Sequence, residues 1–226
     1  MTTARWATFD CYGTLIDWET GIADTFRRLW PDADTAALLR RYHEAEPKVQ
    51  HASSAPYRTV LADALRAVAE RAGLALDDPG ALSAALPDWP PFPETAEALA
   101  ELRRRGWGIA VLSNTDPELL DASIRRIGVD VDERVTVRDA GSYKPAPGHW
   151  ERFFDLTAAD RSRHVHIGAS VYHDIEPATA LGLRAVWINR NGDVSDVARA
   201  AELPNLVALA DVLDDLVGGM QRCDSK

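Results

Sequence analysis

The chain has 226 residues, 46% hydrophobic and 27% charged, a composition that can bury a core without a disulfide framework. A net charge of −10 with no basic run argues against a nucleic-acid partner, and no apolar stretch reaches the roughly 20 residues of a membrane span. The cysteines, Cys11 and Cys223, stand near opposite ends with no metal-site spacing, and no signal-peptide pattern opens the chain, so a reducing, cytoplasmic setting is expected.

The first predicted element is a short buried strand, Trp6 to Phe9. Residues 17–90 then read as helical throughout, with Asp34 to Glu46 and Tyr57 to Ala72 the clearest helices. The segment closes on a proline cluster, Pro87, Pro90, Pro91 and Pro93, which marks a hinge. A helix over Glu94 to Arg105 leads into a second strand, Ile109 to Leu112. There follow a helix from Pro117 to Ile127, a weaker strand at Val135 to Val137 and a helix from Pro147 to Leu156. A strand at Val165 to Ile167, a helix from Ile175 to Leu181 and a strand at Ala185 to Ile188 complete the pattern. Strand and helix alternating in this way predict an α/β fold. Its core is a Rossmann-like, doubly wound parallel sheet over 1–16 and 91–226, with an inserted helical cap over 17–90.

In such folds the functional groups gather at the carboxyl ends of the strands. Asp10-Cys11-Tyr12-Gly13-Thr14-Leu15 follows the first strand and Ser113-Asn114 the second. Lys144 follows the weak strand, within Ser142-Tyr143-Lys144-Pro145, and Gly168-Ala169-Ser170-Val171-Tyr172-His173-Asp174 follows the next. A carboxylate, a hydroxyl, a lysine and a second carboxylate are therefore expected in one crevice. Each has a bland alternative: Asp10 and Asp174 as helix caps, Ser113 as a turn residue, Lys144 on the surface.

Phe9-Asp10-x-Tyr12-Gly13-Thr14-Leu15, then Leu112-Ser113-Asn114, then Tyr143-Lys144-Pro145, then a strand ending before Asp174, resemble in order the four motifs of the haloacid dehalogenase superfamily. The resemblance spans nearly the whole chain, and the helical insertion matches that superfamily's cap. It is strongest to the type II 2-haloacid dehalogenases, which show the same Asp-x-Tyr-Gly-Thr-Leu segment. The magnesium-dependent phosphatases of the superfamily carry an aspartate where this chain has Tyr12, and an acid where it has Ala169. Halide leaves without a proton donor, and attack at carbon needs no metal to neutralise phosphate oxygens, so both departures suit dehalogenation.

The resemblance implies a metal-independent hydrolase acting on carbon–halide bonds. It would convert 2-haloalkanoic acids to 2-hydroxy acids through an ester on Asp10, with no metal and no cofactor. It assigns Asp10 as nucleophile, Lys144 as the cation that keeps it ionised, Thr14 as its orienting donor, and Asp174 as the group that holds Lys144 and positions water. Ser113 would bind the substrate carboxylate, with Tyr12 and Ser170 also placed at the substrate. Asn114 and a cap arginine, Arg41 ahead of Arg40, would cradle the halide. Tyr42, His43 and Gln50 are further cap candidates. His173 is expected at the substrate and is a candidate base toward water. The chain departs from the L-2-haloacid dehalogenases at Ala169, Val171 and Trp150, which puts substrate choice in doubt. The expected partner is a small 2-haloacid, and a homodimer is an oligomeric state the resemblance allows. A magnesium-dependent phosphatase and a non-enzymatic small-anion-binding protein of the same fold stand as alternatives.

Overall fold

The computed structural model describes residues 4–51 and 55–218, so Cys223 lies outside the described residues. Strands β1 (Arg5–Phe9), β2 (Trp107–Ser113), β3 (Glu133–Thr136), β4 (His164–Gly168), β5 (Arg184–Ile188) and β6 (Ala201–Leu203) form one parallel sheet in the order β3-β2-β1-β4-β5-β6. The chain builds outward from β1 to β3, then returns to the other side of β1 for β4. The switch point between β1 and β4 is where a doubly wound sheet opens a crevice.

Residues along each strand alternate between two packed faces. On β2, Ile109 and Val111 join the cluster that includes Phe9, Phe26, Tyr42, Leu61 and Leu65. Ala110 and Leu112 join Trp150, Phe153, Ile175 and Trp187 on the other face. Because both faces are covered, the strands read as unbroken apolar runs rather than as alternating ones. Fully burying side chains such as Phe153 and Leu112 stabilises the fold by about 1.5–3 kcal/mol each.

Among the described residues, every regular element between residues 18 and 88 is helical: α1 (Trp18–Leu29), α2 (Thr35–His51), α3 (Tyr57–Ala72), α4 (Ala81–Ala85) and a 3-10 turn, Leu86–Asp88. The chain leaves and re-enters the sheet side by side. Asp17 N donates to Pro90 O (2.8 Å), Phe92 N donates to Leu15 O (3.0 Å), and Ile16 bridges Pro91 in antiparallel sense. We propose this paired crossing as the boundary between core and cap. A second tie is Asp116, just after β2. Its buried carboxylate accepts from the amides of Tyr57 (3.2 Å) and Arg58 (2.9 Å), occupying the free N–H groups at the start of α3.

The remaining helices are α5 (Thr95–Arg104), α6 (Pro117–Ile127), α7 (Val137–Ala140), α8 (Gly148–Thr157), α9 (Glu176–Ala180) and α10 (Leu209–Gly218). Four elements differ from expectation. The weak strand ends at Thr136, because Thr136 and Asp139 form a reciprocal cap that starts α7 at Val137. The helix expected from Ile175 begins as a π-helical turn, Val171–Ile175, nucleated by Ser170. Strand β6 has three residues, too few to show a period. Helix α2 continues past Glu46 to His51, carrying Pro47 within it.

Candidate active site

The first turn after β1 brings the nucleophile candidate to the crevice. Asp10 N donates to Ile167 O (2.9 Å), which extends the β1–β4 pairing by one residue and fixes the Asp10 backbone. Thr14 Oγ1 donates to Asp10 Oδ2 (3.1 Å) and accepts from Ala169 N (2.9 Å). That hydroxyl therefore joins the turn after β1 to the turn after β4. Gly13 sits between them at φ +95°, a backbone conformation that disfavours side chains, with Trp18 closing over it.

Lys144 reaches in from the segment before α8. Its Nζ donates to Asp10 Oδ1 (2.8 Å), to Asp174 Oδ1 (2.6 Å) and to Leu112 O (3.0 Å), so all three ammonium protons have acceptors. Lys144 is 2% exposed and Asp174 wholly buried, whereas the Asp10 side chain keeps 13% of its surface open toward the cleft. Asp174 approaches Lys144 beneath Gly168, where an added Cβ would stand 2.4 Å from the Asp174 Cβ.

Burial pushes the Asp10 carboxyl upward; Lys144 opposes this and Asp174 reinforces it, leaving Asp10 above the usual carboxylate range. Asp174 is driven the same way by burial, but Lys144 and then His166 outweigh it and hold Asp174 below that range. Burial works against the Lys144 ammonium, yet the two carboxylates lift its pKa to about 12. Asp174 is thus the fixed anion of the trio and Asp10 the one that titrates.

The cleft over these groups measures about 590 Å³. Asp10, Tyr12, Ser113, Asn114, Lys144, Ser170, His173 and Asp174 line it, and Thr14 touches it through Asp10. Ser113 Oγ is buried without a hydrogen-bond partner among the described residues. Tyr12 turns its hydroxyl away from Asp10, to Ser123 Oγ (3.0 Å), and presents its ring to Trp89. Asn114 is engaged differently from expectation. Its Oδ1 accepts from Lys144 N (2.6 Å), and its Nδ2 donates to Lys144 O (3.1 Å) and Gln50 Oε1 (3.4 Å). It braces the Lys144 backbone. Ser170 Oγ accepts from His173 N (3.1 Å) and lies 3.1 Å from His173 Nδ1. Burial and Lys144 hold His173 below its ordinary value against the pull of Asp174, so its imidazole is neutral at pH 7.

Arg41 is not brought into the cleft. Tyr42, His43, Glu46, Pro47 and Gln50 line it from α2, and at 3.6 residues per turn Arg41 falls on nearly the opposite side of that stripe. Arg40 is exposed and also outside the lining. The arginine that does line the cleft is Arg190, just past β5. It donates to Gly13 O (3.3 Å), Thr14 O (2.9 Å) and Glu94 (2.8 Å), over the Phe92 ring. The rule of reading each strand end would have found it.

Glu46 carried no comparable signal. Burial raises its carboxyl to about 7, opposed by the Tyr57 hydroxyl 3.4 Å away.

A divalent cation does not suit this donor set. Asp10 Oδ1 and Asp174 Oδ1 both accept from Lys144, position 169 is alanine, and among the described residues no three His, Cys, Asp or Glu side chains cluster as a metal site. Nor, among the described residues, is any helix long and apolar enough to cross a membrane.

Residues 4–182 match the model of the haloacid dehalogenase-like hydrolase family. Among similar proteins are an (S)-2-haloacid dehalogenase of Pseudomonas sp. strain YL, 27% identical over 95% of this chain and 96% of its own, and haloacetate dehalogenase H-2 of Moraxella sp. strain B, 28% identical over 83% and 87%. A crystal structure of an L-2-haloacid dehalogenase superposes with a TM-score of 0.84 at 25% identity, covering 94% of this chain and all of that one. With the family model spanning most of its length and the four motifs gathered at one crevice, the chain belongs to the haloacid dehalogenase-like hydrolases.

Proposed function

We propose that the protein is a metal-independent dehalogenase that converts 2-haloalkanoic acids to 2-hydroxy acids through an ester on Asp10. The observation that carries this reading is the pairing of Asp10 with Lys144 while Tyr12, two residues on, turns its hydroxyl to Ser123. The site offers an ionised nucleophile and no acid at position 12 to protonate a departing alkoxide. A leaving group that departs as a stable anion matches that chemistry.

In the first half-reaction an Asp10 carboxylate oxygen attacks C2. The C–O bond forms as the carbon–halide bond breaks, and halide leaves with the electron pair. Ser113 Oγ, buried and unpartnered, is the donor for the substrate carboxylate. The rings of Tyr12, Trp18, Trp89 and Phe92 wall the cleft, excluding water from the reacting carbon.

In the second half-reaction water attacks Cγ of Asp10 and the alkyl–oxygen product leaves with one former Asp10 oxygen. A base must take the water's proton. Asp174, held as a firm anion, is poorly suited, whereas His173 is a neutral imidazole on the cleft wall. His173 then passes that proton to the departing oxygen of the 2-hydroxy acid, and the second proton of the water leaves to solvent as Asp10 is restored to a carboxylate.

The test is halide release from both enantiomers of 2-chloropropionate, and from chloroacetate, with EDTA present. Release that persists in EDTA and vanishes in Asp10→Asn is expected. Release that requires magnesium, or that survives in Asp10→Asn, would overturn the reading.

A further inference from the structure

Beneath the catalytic trio lies a buried polar chain that the mechanism above does not use. On β4, His164 and His166 point to the same side, and on β1 Thr8 pairs in register with His166. All three side chains are wholly buried. Thr8 Oγ1 lies 2.9 Å from His164 Nε2 and 2.9 Å from His166 Nδ1, and His166 Nε2 lies 3.4 Å from Asp174 Oδ1.

The direction of every bond in this chain follows from its two ends. Asp174, buried against the Lys144 ammonium, is a carboxylate and can only accept, so His166 must carry its proton on Nε2. Burial and the nearby Lys144 both disfavour a second proton on the ring, against the pull of Asp174, so Nδ1 is bare. Thr8 therefore gives its hydroxyl proton to His166 Nδ1, and its oxygen accepts from Nε2 of His164. That leaves His164 Nδ1 without a proton, and it is a buried nitrogen with no partner among the described residues. The opposite tautomer of His164 would bury an unpaired N–H.

The other charged or titratable neighbours do not replace this donor. From α8, His149 bonds Ser113 O (3.1 Å) and Trp150 packs edge-on to His166. Arg161 and Arg184 act on His164, not on Asp174. From β1 and the turn after β4, Asp10 and His173 face Lys144 and Ser170.

We propose that His166 is a positioning residue: held in its Nε2–H tautomer by the acceptor-only Asp174 on one side and the Thr8 hydroxyl on the other, it donates to Asp174 Oδ1, keeps Asp174 the fixed anion beside Lys144, and so leaves Asp10 as the reacting carboxylate. The inference rests on Asp10 being the nucleophile but not on which leaving group departs. Without the His166 donor, Asp174 presents a barer negative charge to Asp10, and Asp10 holds its proton to higher pH.

Two measurements on the full chain test this. Nitrogen-15 NMR of histidine-labelled protein at neutral pH should find His164 and His166 neutral, each with its proton on Nε2. An imidazolium or an Nδ1–H tautomer at His166 would overturn the proposal, whatever the substrate. In the kinetic arm, His166→Leu should move the acid limb of kcat/KM for 2-chloropropionate upward by roughly half a pH unit. His166→Gln, which keeps a donor toward Asp174, should restore it. An unmoved limb in the leucine variant, or an equal shift in the glutamine variant, would reject the role. If the leucine variant does not fold, Thr8→Val decides: mixed tautomers at His164, whose Nε2–H loses its acceptor, with His166 still Nε2–H support the chain, and an unchanged His164 spectrum rejects it. Absence of any halide release falls on the dehalogenase reading alone, and the tautomer measurement still decides the chain.

Discussion

At the scale of residues, the site is a problem of two buried carboxylates sharing one ammonium. Removing the ammonium leaves the two carboxylates facing each other in a largely buried site with no cation between them. Lys144→Met should therefore destabilise the fold by about 3–5 kcal/mol at pH 7, read from urea denaturation midpoints. The sign with pH follows from the carboxyls. Without Lys144 their folded pKa values lie above the unfolded value of roughly 3.9, so their stabilising contribution is present below that value and lost as pH rises. The deficit should shrink toward pH 4; a deficit that grows there would contradict the charge pairing. In the unaltered protein burial lifts Asp10, and the proposed reaction needs its carboxylate, so kcat/KM should fall with acidification through a limb above the usual carboxylate range. An acid limb at the ordinary aspartate value would argue against a buried nucleophile.

Asp10, Lys144 and Asp174 were legible in the sequence because Asp10 directly follows β1 and the other two lie in the connections that leave the carboxyl ends of β3 and β4, where a parallel sheet gathers function. The roles of Asn114 and Arg41 were not. Asn114 bonds to the Lys144 backbone, a long-range contact no local pattern encodes. Arg41 was a choice among neighbouring positions of one helix, and the choice depends on how α2 is rotated over the cleft. Glu46 and His166 were missed because a lone acid on a polar helix and a histidine inside an apolar strand both look like ordinary surface and core.

At the scale of elements, the decisive piece is the turn after β4. Gly168 lets the Val171–Ile175 turn fold back so that Asp174 meets Lys144, and an added Cβ would fall inside the Asp174 carboxyl group's space. Gly168→Ala should push the turn away and lower kcat about tenfold or more, the scale expected when a catalytic group moves by about an ångström. Wild-type kcat in that variant would show that Asp174 can reach Lys144 by another path. The sequence reading placed a helix from Ile175 here; the π-helical start escaped it because Ser170 nucleates the turn with its hydroxyl rather than through apolar periodicity. The helices α2 and α3 were legible from their period, while β6 was too short to carry one.

At the scale of the whole molecule, the strand–helix alternation named the sheet, and the strand-free interval is the segment we propose as the cap. What the sequence could not convey is how the two meet. The Leu15–Asp17 and Pro90–Phe92 segments pair where the chain crosses, and Asp116 ties the start of α3 to the carboxyl end of β2. These contacts bring Tyr42, Glu46 and Tyr57 over Asp10 to close the cleft. The cleft they close measures about 590 Å³, within the range of small-molecule sites.

If Asp10 itself becomes the ester, a single turnover in water labelled with oxygen-18, with enzyme in excess over 2-chloropropionate, will record it. The label should enter the peptide that contains Asp10, while the first 2-hydroxy acid released carries unlabelled oxygen on C2. Label in that product hydroxyl after one turnover, with Asp10 unlabelled, would mean that water attacks the substrate directly and that Asp10 is not the nucleophile.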